Sequence, residues 1–135
     1  MKDSTIDEDE FEEEVPVQIP GLDVKKGLGF YEDDLEIYTT LLRSYVTNAF
    51  AVINRMRVVS KETLPDYIIA VHGFKGISAN IAADKIREDA LKMEKMARLG
   101  DLEGVLAENE TFLRDTENTI LGIKAWLEEQ DRKGL

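Results

Sequence analysis

The sequence predicts an all-α protein, an antiparallel up-down-up-down four-helix bundle with a short N-terminal helix. Three observations predict it. Every periodic segment beyond the first two dozen residues repeats its apolar positions at intervals of three and four, the spacing of one helical face. No segment carries a strand signal. The connections between the long helices are only two to five residues, which forces consecutive helices to lie antiparallel as neighbours. At 135 residues the chain is one domain by length, long enough for a single hydrophobic core.

Residues 1–18 read as an acidic disordered tail and linker, and residues 19–135 as the bundle. Residues 1–14 hold eight acids and one base, Lys2, so most of the net charge of −11 sits in a solvated tail. Val15 to Gly21 reads as an extended linker, because Pro16 and Pro20 push the residues before them out of the helical region. Asp23 is placed to cap a short helix over Val24–Leu28, weakened or ended by Gly27 and Gly29. The second helix runs from about Glu32 to Val59, with Asp33 and Asp34 in its first turn, where the helix dipole favours acids. Its buried stripe is Leu35, Tyr38, Leu41 or Leu42, Tyr45, Val46, Ala49, Val52, Ile53 and Met56. Thr63 suits the N-cap of the third helix, and Pro65 in its first turn loses no intrahelical bond. That helix extends to about Ala82, with a core seam of Leu64, Tyr67, Val71, Phe74, Ser78 and Ile81. The fourth, from Ala83 or Asp84 to Leu99, sets Ile86, Ala90, Met93 and Ala97 on one face and stops at Gly100. The fifth, Asp101 to about Gln130, carries Leu102, Val105, Leu106, Phe112, Leu113, Thr116, Ile120, Ile123 and Leu127. Phe112 and Trp126 read as core residues rather than ligand contacts.

Composition narrows the function. The chain has no cysteine, which excludes disulfides and thiolate metal sites and fits a reducing compartment. No apolar run is long enough to span a membrane, and no signal pattern opens the chain, so a cytoplasmic protein without membrane contact is expected. A chain this acidic repels nucleic-acid phosphates. There is no Gly-x-x-x-x-Gly-Lys-Ser/Thr loop and no strand to carry one, so no nucleotide site is expected. A metal-dependent hydrolase fits poorly with one histidine and no partner ligands at helical spacing.

That single histidine, His72, carries the chemistry. It lies one residue past Val71, about 100° round from the core seam, on an exposed flank. Gly73, Gly76 and Ala79 leave its C-terminal side free of large groups. Ile69, one turn earlier and off the core stripe, gives the flank an apolar rim. Lys75 brings a cation within reach of whatever the ring carries. Each glycine costs a helix roughly 0.5–1 kcal/mol relative to alanine, so close approach from outside is the reading that accounts for them. The plain alternatives are an ordinary surface histidine and glycines that serve close helix packing. Glu94 on the fourth helix is in a position to reach toward this face, which the sequence leaves open.

The run His72-Gly73-Phe74-Lys75-Gly76-Ile77-Ser78-Ala79-Asn80-Ile81-Ala82-Ala83 resembles the signature of histidine-containing phosphotransfer (HPt) domains, His-x-x-Lys-Gly followed by small residues. The resemblance covers roughly Ile19 to Gln130, and the segment Ile19–Leu28 is similar to the short helix common before such domains. It implies a phosphorelay protein of two-component signalling. His72 would accept a phosphoryl group from a receiver-domain aspartate and pass it to another receiver. Lys75 would contact the phosphoryl oxygens, while Gly76, Ile69, Ala79 and Gly73 would form the docking face. The implied partners are a response-regulator receiver domain and a sensor or hybrid histidine kinase. The chain is expected to be a monomeric phosphoryl carrier with no cofactor and no kinase activity of its own, with Mg²⁺ on the receiver. Two positions depart from the pattern. Gly73 stands where a side chain is more common, and Ala82 where glycine is common, the alanine being expected to lengthen the helix. The alternative from another class is a non-catalytic helical adaptor that binds a receiver or another signalling partner. The dimerisation domain of a sensor kinase fits less well, because Gly73 stands where that class has an acid and no proline follows.

Overall fold

A computed structural model describes residues 18–134, so the acidic tail and the first part of the linker lie outside the described residues. Five helices make up the described chain: α1 (Val24–Gly29), α2 (Leu35–Arg57), α3 (Leu64–Asn80), α4 (Asp84–Arg98) and α5 (Leu102–Arg132). No strand occurs among the described residues. Helix α2 packs on α3 and α5, α4 packs on the same two helices, and α1 lies against α2. The all-helical bundle expected from the apolar periodicity is present.

The stripes read from the sequence form its core. Tyr38, Leu42, Tyr45, Ala49, Ile53 and Met56 of α2 are buried, as are Tyr67, Val71, Phe74 and Ser78 of α3 and Ile86, Ala90, Met93 and Ala97 of α4. Ser78 is tolerated at the seam because its hydroxyl shares a 2.8 Å hydrogen bond with Tyr45 Oη. The Tyr45 ring stacks on Phe74, with centroids 5.7 Å apart. On α5 two positions of the expected stripe fall outside the core: Leu102 is half-buried and Leu106 half-exposed, and Asn109 is buried instead. Asn109 is fully engaged there, accepting from Tyr67 Oη at 2.6 Å and donating to the Met56 carbonyl at 2.9 Å.

The helix ends explain the other differences. Asp34 is the N-cap of α2 and accepts from Ile37 N–H, while Glu32 and Asp33 precede the helix in the left-handed region. The linker reading fails at Ile19, which is buried and opens a turn closed by Leu22 N–H on its carbonyl. Helix α3 stops at Asn80, two residues before its expected end. Ala82 does not lengthen it. Its φ is 59°, and its N–H donates to the Ala79 carbonyl while Ala83 N–H donates to that of Ser78. That pairing is a Schellman motif with alanine in the glycine position. The left-handed conformation costs an alanine roughly 1–2 kcal/mol, and burial of its methyl returns about 0.8 kcal/mol.

The N-terminal segment and α2 together secure the end of the histidine-bearing helix. The carbonyls of Asn80, Ile81 and Ala82 accept from Tyr31 Oη, Tyr38 Oη and Asp23 N–H at 2.7, 2.8 and 2.9 Å. Such carbonyls have no partner within their own helix. Lys26 adds an ion pair to Asp84 at the start of α4.

Candidate functional site

His72 lies in the middle of α3, with 59% of its side-chain surface exposed. Its neighbours on the seam, Val71 and Phe74, are buried, so the helix is held firmly beneath an accessible ring. Ile69 is 64% exposed and forms an apolar patch one turn before His72. Gly73 and Gly76 are exposed, and a Cβ added at either meets no neighbouring group within 4 Å. Close helix packing therefore does not account for the two glycines. Ala79 is half-buried further along the same helix. Because both glycine sites are open, Gly73→Ala and Gly76→Ala are each expected to stabilise the fold by about 0.5–1 kcal/mol. Urea midpoints measured on the two variants check this.

The ring does not stand alone. Glu94, near the middle of α4, has only 5% of its side-chain surface exposed and points at the histidine. His72 Nδ1 lies 2.8 Å from Glu94 Oε2. Lys75 Nζ donates to Oε1 at 2.7 Å, and Arg98 donates to Oε2 through Nε at 2.9 Å, with a terminal guanidinium nitrogen in ion-pair contact 2.8 Å from the same oxygen. Burial alone would push the Glu94 carboxyl up. The hydrogen bonds from Lys75, Arg98 and His72 outweigh it and hold the group at about 2, well below the usual carboxylate range.

An ionised carboxylate only accepts hydrogen bonds. Nδ1 must therefore be the protonated nitrogen of His72. In the neutral ring the lone pair is then on Nε2, the nitrogen not engaged by Glu94. The arrangement produces a nucleophilic nitrogen of fixed identity without a strong base beside it.

The structure brings His72, Lys75 and Glu94 together, with Gly73 and Gly76 open on the same helix. Lys75 differs from the sequence reading in one respect: its ammonium group is engaged on Glu94. Arg98 was missed. Its signal is the pair Glu94 and Arg98, four apart on α4, facing His72 and Lys75, three apart on α3. Among the described residues no cluster of three or more His, Cys, Asp or Glu side chains could hold a metal ion, and no helix is long and apolar enough to cross a membrane. Comparison with protein-family models, curated proteins and solved structures gives no match to this chain.

Proposed function

We propose that this chain is a histidine phosphotransfer protein of a two-component phosphorelay, built as an antiparallel up-down-up-down four-helix bundle. The observation that carries the proposal is an exposed imidazole whose Nδ1–H is bound by an ionised, buried carboxylate, leaving Nε2 as the free nucleophile. The topology is supported by short turns between helices that each pack on the next.

In this reading Nε2 of His72 attacks the phosphorus of a receiver's aspartyl phosphate. The N–P bond forms as the P–O bond to the aspartate breaks, its electron pair leaving with the carboxylate. The Nδ1 proton stays in its hydrogen bond to Glu94, so the ring carries a positive charge beside a negative one. In onward transfer the pair of the N–P bond returns to Nε2, and the imidazole leaves as a neutral molecule. Phosphoryl transfer proceeds through a loose transition state, in which positioning and charge stabilisation dominate. Lys75 supplies a mobile cation for the phosphoryl oxygens. The receiver supplies the aspartate and Mg²⁺, and this chain is a carrier working in the cytoplasm.

Docking uses the open flank of Gly73, Gly76 and Ala79 beside Ile69. The test is incubation of the chain with a panel of receiver domains, each phosphorylated on its aspartate. Acid-labile, alkali-stable label is expected on the chain with at least one receiver. Gly76→Leu should block transfer while retaining the fold, because its side chain projects into open space where a receiver would approach. Unchanged transfer in Gly76→Leu would contradict this docking face. Stable binding of a receiver with no label would support a non-catalytic adaptor.

A further inference from the structure

We propose that Arg98 is a positioning residue for this site: it keeps Glu94 neutralised, so that Lys75 is released to meet an incoming phosphoryl group. The inference rests on His72 being the phosphoryl acceptor. Glu94 is nearly inaccessible, and a carboxylate in that position needs charged partners at all times. Two cations serve it, in different ways. Arg98 is four residues along the same helix and holds Oε2 through an Nε–H hydrogen bond, with a second nitrogen of the same planar group in ion-pair contact. Lys75 comes from the other helix and holds Oε1 through a single ammonium on a flexible stem.

Their charges explain why both are present. Two cations and one carboxylate leave these three side chains at +1. An arriving phosphoryl group brings about −1.5 to −2 and draws on the cation that is free to move. When Lys75 leaves Oε1, Arg98 and the His72 Nδ1–H remain on Oε2, and the buried carboxylate is still paired. Without Arg98, Lys75 would be its only full cation and would be held on Glu94.

The probe is potassium phosphoramidate, a small phosphoryl donor that needs no docking surface. Nε2 of His72 forms the new N–P bond, and the donor's P–N bond breaks with its electrons to release ammonia. Arg98→Met keeps the aliphatic stem and removes the charge. It is expected to slow phosphorylation at least tenfold at unchanged helical content. Arg98→Lys, which keeps a cation near Oε2, should recover most of the rate. Lys75→Met should also be slow, and the double variant Arg98→Met/Lys75→Met should be no slower than Lys75→Met, because Arg98 acts through Lys75. Additive losses in the double variant, or a full rate in Arg98→Met, would overturn the role of Arg98 alone. Absence of phosphohistidine in the unsubstituted chain would overturn the acceptor reading and this inference with it.

Discussion

His72→Ala is expected to abolish phosphoryl acceptance and to leave the fold in place. The ring is mostly exposed and contributes nothing to the core; its one hydrogen-bond partner among the described residues is Glu94. Removing it leaves Lys75 and Arg98 on the carboxylate, so no buried charge is orphaned. The stability cost is therefore about that of one hydrogen bond to a charged group, roughly 1.5–3 kcal/mol at most. The chemical cost is complete, because the chain has no second histidine. The check is label transfer from a phosphorylated receiver, with circular dichroism on the same sample. Acid-labile label on the variant would contradict the assignment.

Glu94→Gln is expected to remove a large part of the chain's acid sensitivity. Glu94 titrates at about 2 in the folded chain against an ordinary value of 4.5. Between those values the unfolded chain binds the extra proton, so folding stability falls as the pH falls. The contribution of Glu94 is fully present above about pH 5 and lost toward pH 2. Its size is on the order of 2 kcal/mol once solvent screening of the half-exposed Arg98 and His72 is allowed for. Urea unfolding at pH 6 and pH 3 should show a smaller drop for Glu94→Gln than for the parent chain, by somewhat more than half of that amount. Equal drops would mean that the ion cluster does not hold the carboxylate as described.

Much of the fold was legible because apolar spacing is a direct record of which helix face is buried. The α3 seam is the clearest case: Tyr67, Val71, Phe74 and Ser78 all fall in the core, and the same phase places His72 outside it. The failures have physical causes. Apolar spacing puts Leu106 in the core and leaves Asn109 out, since an amide at a core register becomes favourable only when Tyr67 and the Met56 carbonyl satisfy it. Alanine has the highest intrinsic helix propensity, so nothing local marked Ala82 as the left-handed residue that ends α3.

The site was legible only in part. His72, Lys75 and the glycines lie within five residues of one another, where helical geometry fixes their relations. Glu94 and Arg98 come from a different helix, and their arrival depends on how α3 and α4 pack. A glutamate is also expected in water, and its burial makes sense only once Lys75, Arg98 and His72 are seen to converge on it.

In the proposed mechanism Nε2 of His72 is the acceptor atom. The direct measurement is ³¹P and ¹⁵N NMR on chain labelled with ¹⁵N-histidine, after phosphorylation by a phosphorylated receiver domain. One phosphoramidate signal coupled to Nε2 of His72 is expected, with the proton retained on Nδ1. A phosphoryl group on Nδ1, on a hydroxyl, or on no residue of the chain would contradict it.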